Sequence, residues 1–481
     1  MFHQSLAKFV YLIFGFRLLS NKKILLFFAK ASQIAVFIIR GIKSLHINNR
    51  FFYIGAGIAV LLAAGFFFSP LFALAKAILY TFLLVTATDI LLLFSKRYAI
   101  NATRTMADKL SNGDPNPILV QVNSRYPFAI DTEVIDEIPD QFQYRENTTQ
   151  LSLKANQTRE FTYELRPLKR GEYTFNSLNI FAKTTIGLVS RRFRIDAEVT
   201  VPVYPSYIQM HKYELLAISN QLQMAGIKKI RRIGHNFEFE QIRDYVQGDD
   251  FRTINWKATA RRGDLMVNQF QDEKSQQVYS IIDKGRVMKM PFDGLSLMDY
   301  AINASLVISN IAIKKYDKAG IITFTEEKAA ILQAERKPDQ MGKILELLYA
   351  QKTRYLESNY ELLYATIRQQ IKQRSLLLFY TNFESLTSLR RRMQFFRGLA
   401  KNHLVVVIFF ENTELHALTE NKPANLEEVY IKTIAEKMMH EKKQIAAELM
   451  KYGIQSILTP PKDLSVNTIN KYLELKARGL V

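Results

Sequence analysis

Two long apolar runs stand near the front of the chain. Phe51 to Ser69 holds nineteen residues without a charge, and Leu71 to Phe94 is interrupted only by Lys76 and Asp89. At 1.5 Å per residue, nineteen helical residues reach roughly 28 Å, close to the thickness of a bilayer core. With Pro70 between them, the runs predict a helical hairpin with a tight turn near Ser69–Pro70. Lys76 lies where it can snorkel, and Asp89 where it can approach the headgroup layer. Gly55 and Gly57 suit close helix packing, since no strand precedes them to make a dinucleotide fingerprint. From Asn116 to Pro205 the period falls to two, with Ile118, Val120 and Val122, then Ile130 and Val134, then Phe161, Tyr163 and Leu165. Turn signals at Tyr126-Pro127, Ile138-Pro139, Lys169-Arg170-Gly171 and Ile186-Gly187 space these strands as in a small antiparallel Ig-like sandwich. From Val278 onward, continuous apolar strands alternate with helical periods. Strands are expected at 278–283, 319–324, 376–380, 404–410 and 454–458, and a further pairing segment at 327–332. Helices are expected at 297–315, 341–352, 361–372, 385–400 and 431–451, and at the end of the chain. That alternation means a parallel sheet covered on both faces, with ligands at the carboxyl ends of its strands. Asp283 stands at such an end.

The chain therefore divides into a basic segment over 1–49, a transmembrane hairpin over 50–95, a sandwich over 112–206, a charged connection over 207–275 and an α/β domain over 276–481. It is an α+β multidomain protein. Residues 1–50 carry eight basic side chains and no acidic one, and Lys96, Arg97, Arg104 and Lys109 follow the second apolar run. Basic flanks on both sides put both ends of the hairpin in the cytoplasm. The paired runs are far longer than the apolar core of a signal peptide. Within 1–49 the stretches Phe9–Phe16 and Ile24–Ile39 are broken by Arg17, Lys22, Lys23 and Lys30. An interfacial helix on anionic lipid and a short third span both stay open.

The net charge of +20 is large for 481 residues, but the acid-free front supplies much of it. Lipid then explains part of the excess, and nucleic acid is not an expected partner: the aromatics fall in apolar runs rather than among basic residues. The chain has no cysteine, which excludes disulfides, zinc ribbons, iron–sulfur clusters and thiol nucleophiles. It has no phosphate loop, no G-x-S-x-G elbow and no H-E-x-x-H pair, and its seven histidines are scattered without ligand spacing. No cofactor and no catalytic residue are expected.

The densest chemistry lies between residues 234 and 270. Glu238, Glu240, Asp244, Asp249, Asp250 and Asp264 alternate there with Arg243, Arg252, Lys257, Arg261 and Arg262 around the single tryptophan, Trp256. Near-equal numbers of both signs favour mutual salt bridges and helix capping over an acid/base pair. The run Glu238-Phe239, Ile242-Arg243-x-Tyr245, Gly248-Asp249-Asp250-x-Arg252-x-Ile254-Asn255-Trp256 to Arg261 closely resembles the signature of the bacterial family called "domain of unknown function 58". Asp283-x-Gly285-Arg286-x-Met288, Asp299-Tyr300-Ala301 and Arg170-Gly171-x-Tyr173 fit the same pattern, and the C-terminal domain resembles a von Willebrand factor A domain (a Rossmann-like α/β fold). The resemblance covers roughly residues 50 to 480. It implies a protein of the bacterial inner (cytoplasmic) membrane with its soluble domains in the cytoplasm. It also implies work beside a MoxR-type AAA+ ATPase on envelope-related clients, and no established catalysis.

An adhesion-type metal site needs Asp-x-Ser-x-Ser on the first strand, plus a threonine and a later aspartate. Asp283 is kept, but Gly285 and Val287 hold the serine positions and Asn382 the later aspartate position, with Ser358 or Asn359 near that of the threonine. Lys284 and Arg286 add positive charge. Such a set holds Mg²⁺ weakly, and a salt bridge from Asp283 to Arg286 or another nearby base is the expected replacement. The edge formed by Lys284, Arg286, Thr325, Glu326 and Glu384 is the candidate partner surface. A Mg²⁺-dependent adhesion module is the alternative, followed by a nucleic-acid-binding or hydrolytic protein.

Overall fold

The computed structural model describes residues 44–143, 148–218, 238–247, 249, 251–271, 275–353, 356–420, 423 and 425–480. The interfacial helix or third span expected within 1–49 lies, up to residue 43, outside the described residues. Two compact units emerge. One comprises Met1–Asp108, Pro117–Leu165 and Tyr173–Val201, the other Lys109–Asn116, Arg166–Glu172 and Pro202–Val481.

The chain starts with strand β1 (Leu45–Ile47) and helices α1 (Asn49–Gly65) and α2 (Ser69–Phe94). The helices turn at Phe66–Phe68, earlier than the expected Ser69–Pro70. Pro70 instead lies in the first turn of α2, where its missing N–H leaves no bond unmade. At the end of α1 the chains approach so closely that a Cβ on Gly65 would sit 2.8 Å from the Cα of Phe72. Among the described residues one helix, Pro70–Phe94, is long and apolar enough to cross a membrane. Helix α1 has 17 residues, about 25 Å of rise.

Strands β2 (Ile100–Thr105), β3 (Leu110–Ser111), β4 (Asn116–Ser124), β5 (Ile130–Asp136), β6 (Thr148–Leu153), β7 (Thr158–Leu165), β8 (Gly171–Phe175), β9 (Leu178–Lys183), β10 (Val189–Ile195) and β11 (Val199–Tyr204) form an Ig-like β domain. Its sheets run β1-β10-β9-β5-β6, β2-β4-β7 and β3-β11-β8. The pairing is not wholly antiparallel, for β11 runs parallel to β3 with Val203 beside Leu110. Alternate residues of β4, Ile118, Val120 and Val122, are fully buried, as the period of two requires.

Asp89, expected near the headgroup layer, is fully buried by protein. Its carboxylate accepts hydrogen bonds from the Thr184 hydroxyl and from the backbone N–H groups of Leu188 at 3.1 Å and Val189 at 3.2 Å. An ionised group inside an apolar helix is costly unless its lone pairs are claimed, and the turn between β9 and β10 claims them. Arg104, among the basic residues that follow the second run, is likewise paired within the protein: its Nε donates to Asp136 Oδ2 at 2.9 Å.

The second unit contains α3 (Tyr207–Ile218), β12 (Glu238–Asp244), α4 (Trp256–Arg262), β13 (Met266–Gln271), β14 (Gln277–Asp283), the small hairpin β15 (Pro291–Phe292) and β16 (Leu295–Ser296), and α5 (Leu297–Lys314). It continues with β17 (Lys318–Phe324), β18 (Ala329–Glu335), α6 (Gln340–Tyr349), α7 (Tyr360–Gln370), β19 (Leu376–Tyr380), α8 (Leu386–Ala400), β20 (Leu404–Phe410), α9 (Thr413–Glu420), α10 (Leu426–Lys451), β21 (Gln455–Thr459) and α11 (Leu464–Ala477). Helix α10 starts five residues before the expected 431, where the Asn425 side chain accepts from the Glu428 N–H at 2.8 Å and caps the first turn.

The six-stranded sheet runs β18-β17-β14-β19-β20-β21. β14 is parallel to both neighbours, and only β18, at the edge, is antiparallel. Its strands are apolar on both sides because both sides are covered. Val278, Ile282, Leu376, Leu378 and Tyr380 belong to one core with residues of α5, α6 and α11, while Tyr279, Ile281, Leu377 and Phe379 belong to another with residues of α7, α8 and α10. Ser296 and Asp299 form a reciprocal capping box at the start of α5. Asp299 also pairs with Arg170 at 3.0 Å, joining two positions that the resemblance singled out. Burial pushes the Arg170 guanidinium below its ordinary range, and the Asp299 charge opposes this.

Candidate functional site at the carboxyl edge of the sheet

Asp283 ends β14, the strand at which the chain's course across the sheet reverses. Successive connections run from β14 outward to β17 and β18 on one side and to β19, β20 and β21 on the other. At such a switch point the loops part and leave a crevice. Phe324 lies opposite Asp283 on β17, and Tyr380 opposite Ile282 on β19. The following residues, Thr325 and Thr381, therefore flank it.

The Asp283 side chain is 1% exposed, and protein donors occupy both its oxygens. Oδ1 accepts from the Gly285 N–H at 2.8 Å and from the Ser358 hydroxyl. Oδ2 accepts from the Thr381 hydroxyl at 2.7 Å and the Tyr360 hydroxyl at 2.9 Å. Burial pushes the Tyr360 phenol well above its ordinary range, and the Asp283 charge adds to that while Arg392 opposes it.

The expected Asp283–Arg286 salt bridge is therefore corrected. Arg286 turns outward, with its Nη2 3.4 Å from Glu384 and 3.8 Å from Glu357. Hydroxyls, which desolvate at far lower cost than a second ion, solvate the buried carboxylate instead. The two serine positions of an adhesion site also differ in kind. Val287 packs against the core. A Cβ on Gly285 would meet the Ser358 Oγ at 2.7 Å, so a serine there requires Ser358 to move.

Asn382 holds no carboxylate and faces a cation. Lys442, on α10, donates from Nζ to Asn382 Oδ1 and to the Phe383 carbonyl, each at 2.6 Å. Burial pushes the Lys442 ammonium down to about 8, partly offset by Glu384. The unfolded chain then binds the extra proton between about pH 8 and the ordinary lysine range, so folding stability attributable to Lys442 rises with pH across that window. We expect the unfolding free energy of wild type relative to Lys442→Met to increase by about 2 kcal/mol from pH 7 to pH 9.5. Denaturant titrations at the two pH values measure it, and a flat difference would place the ammonium in an ordinary environment.

Beside Asp283 opens a cleft of about 380 Å³, lined in part by Arg286, Glu357, Ser358, Glu384, Arg391 and Arg392. The Arg392 guanidinium lies 4.8 Å from the Tyr360 ring centre and 3.6 Å from Glu357. Its Nη1 is buried without a hydrogen-bond partner among the described residues. The edge thus presents a mixed-charge, amphipathic crevice. Among the described residues, no group of three or more His, Asp or Glu side chains is placed to hold a metal ion.

The structure brings Asp283, Gly285, Arg286, Asn382 and Glu384 to this one edge. Lys284 is half-buried beside them. Thr325 is buried, its hydroxyl folded into the turn to Lys328, so it offers no surface to a partner; Glu326 is half-buried. Tyr360, Arg392 and Lys442 were missed, and Thr381 was read only as part of the loop edge 381–384, not as a donor to Asp283. Thr381 had a faint signal in following an apolar strand directly. The others look like ordinary core or surface positions of amphipathic helices.

The charged motif forms its own small module, in which β12 pairs antiparallel with β13 around α4. Arg243 grips Asp249 with two bonds of 2.8 and 2.7 Å, and this holds the Asp249 carboxyl below its usual range. Asn255 caps α4 through the Ala258 N–H at 3.0 Å and donates to Asn268 at 2.7 Å. Arg262 stands 3.6 Å from Asp244. Tyr245 bonds through its backbone to Leu265, while Trp256 and Arg261 are exposed. Gly248, Asp250 and the side chains of Glu238 and Arg252 lie outside the described residues.

Residues 241–436 match the family model described as "Protein of unknown function DUF58". A similar curated protein is the uncharacterized YeaD of Bacillus subtilis (strain 168), 25% identical over 213 residues. That alignment covers 43% of this chain and 53% of YeaD, so the match spans about half the relative's length. Solved structures resemble part of this chain in fold. The CARDB domain of PF1109 from Pyrococcus furiosus covers 22% of this chain and 94% of its own at 13% identity, with a TM-score of 0.16. PapD-like domain 7 of human CEP192 covers 22% and 84% at 7% identity, with a TM-score of 0.17. Neither bears on activity. Over residues 241–436 the chain is thus similar to the family of proteins of unknown function DUF58.

Proposed function

We propose that the chain is a membrane-anchored, non-enzymatic adaptor of the bacterial inner membrane. Its C-terminal unit, an α/β domain of the von Willebrand factor A type, would dock a protein partner at the edge that carries Asp283. The observation that carries this reading is the filling of Asp283. All four donors around it come from the protein, so the residue that would anchor a metal in an adhesion site serves as a structural pin. The arginine-lined cleft beside it supports docking through shape and charge. Strand order β18-β17-β14-β19-β20-β21 with one antiparallel edge supports the A-type assignment. The apolar exposed faces of α1 and α2, with Arg50 in the first turn of α1 and Lys96 and Arg97 after α2, support a two-span hairpin with both ends in the cytoplasm.

The family resemblance nominates a MoxR-type AAA+ ATPase as partner. Membrane tethering raises the local concentration of a weak pairing. The test is co-purification of that ATPase from solubilised membranes with wild type and with Arg286→Glu. The substitution sets a third carboxylate between Glu357 and Glu384. Recovery at least tenfold lower than wild type is expected. Equal recovery would move the interface elsewhere, and no recovery with wild type under any nucleotide condition would remove the partnership.

A further inference from the structure

The feet of both helices meet at one turn of the β domain. Asn48 at the start of α1 donates through Nδ2 to the Gly187 carbonyl at 3.1 Å and through its backbone to Leu188 at 3.1 Å. Arg50 donates to the Ile186 carbonyl at 3.3 Å. Near the end of α2, Asp89 takes the Thr184, Leu188 and Val189 donors. Arg191 caps the carbonyls of Leu93 at 2.8 Å, Lys96 at 2.7 Å and Arg97 at 3.1 Å. The turn at 184–188 is thus fixed to the hairpin at the level of Asp89. That level lies twenty residues below Ser69, or about 30 Å of helix, which equals the hydrocarbon thickness.

Around this level the side chains change character. Above it the exposed residues of the helices are mostly apolar, among them Val60, Phe66 and Leu84, and the one exposed charge, Lys76, stands toward the far turn beside Phe72. At it stand the cations Arg50, Lys96 and Arg97, the exposed aromatics Tyr53 and Tyr98, and the exposed Ile186 at the tip of the turn. Lys96 bonds the Arg125 carbonyl at 2.8 Å and Arg97 lies 5.4 Å from the Tyr98 ring centre, yet both keep their charge toward solvent. Tyrosine beside lysine and arginine is the composition of a bilayer interface.

We propose that this end of the β domain lies in the headgroup layer and contacts anionic phospholipid, with Ile186 reaching the acyl boundary. The proposal rests on the membrane-anchor reading and adds a second, independent contact to it. The test uses full-length protein with the single tryptophan replaced (Trp256→Phe), reconstituted into vesicles brominated near the headgroup end of the acyl chains. A tryptophan is placed at Leu84→Trp, Ile186→Trp or Val199→Trp. Val199 lies beyond the far end of β10, seven residues or about 20 Å along the strand from the turn. Fluorescence is expected to fall at least twofold at positions 84 and 186 and to stay unchanged at 199. Quenching at 84 alone overturns the proposal and leaves the anchor standing. Quenching at none overturns the anchor as well, and quenching at 199 overturns the placement of the turn. Adding Arg97→Glu should weaken quenching at 186 in vesicles containing phosphatidylglycerol and leave it unchanged in pure phosphatidylcholine. An equal effect in both would overturn the claim for anionic lipid.

Discussion

Asp283→Ala is expected to destabilise the C-terminal unit by about 4 kcal/mol, with or without Mg²⁺. The substitution removes the acceptor for the Gly285 N–H and for the hydroxyls of Ser358, Tyr360 and Thr381 at the centre of the sheet edge. Not all four donors are orphaned. Tyr360 and Thr381 stand 2.8 Å apart and can bond each other, which keeps the loss near that of two unsatisfied buried groups plus a small cavity. Asp283→Asn keeps an acceptor at Oδ1 but turns an amide N–H₂ toward two hydroxyls, so about half the loss is expected. Hydrogen exchange of the β14 and β19 amides reads both, with roughly a thousandfold faster exchange in the alanine variant if local opening carries the full cost. Wild type gaining thermal stability from millimolar Mg²⁺, and Asp283→Ala losing that gain, would restore the metal reading.

How far this was legible follows from the kind of force at each place. Strands Leu376–Tyr380 and Leu404–Phe410 have the bounds their apolar runs imply, because a strand covered on both faces must be apolar throughout. The end of α1 was not legible. Phe66, Phe67 and Phe68 are as apolar as the helix before them, and the turn there depends on how closely Gly65 passes Phe72. Strand β1 is three residues long and pairs with β10 more than 140 positions later, and no local pattern announces that. At the candidate site, Asp283 was readable as a carboxylate ending an apolar strand. Of its partners, Gly285 and Ser358 were placed beside it by the adhesion-site pattern, whereas Tyr360 was not. Tyr360 follows the period of a core helix and is in fact buried, so only its hydroxyl direction makes it special. Lys442 is one lysine among many on α10, distinguished by reaching Asn382 sixty residues away. Long-range polar pairs of this kind leave hydropathy unchanged, which is why a periodic reading recovers the sheet and misses the network.

The same logic governs the second large effect, at Asp89. By hydropathy alone, Asp89→Leu should improve α2, since it removes the sole carboxylate from an apolar helix. We expect the opposite for the protein. The Leu188 and Val189 N–H groups and the Thr184 hydroxyl are left facing a methyl group in a place where Asp89 is fully buried. The loss is about 3 kcal/mol, or roughly a hundredfold in the opening equilibrium of the turn. It appears as faster hydrogen exchange at Leu188 and Val189 in detergent-solubilised protein, while α2 keeps its protection. Asp89→Asn retains one acceptor for the two amides and should show a smaller change. Because Arg191 and Tyr126 hold the Leu93 carbonyl independently, the β domain stays attached to the helix in either variant, and the damage is confined to the turn that carries Ile186. Unchanged protection at Leu188 and Val189 in Asp89→Leu would mean that water or another group satisfies them, and that the carboxylate is not what fixes the turn to the hairpin.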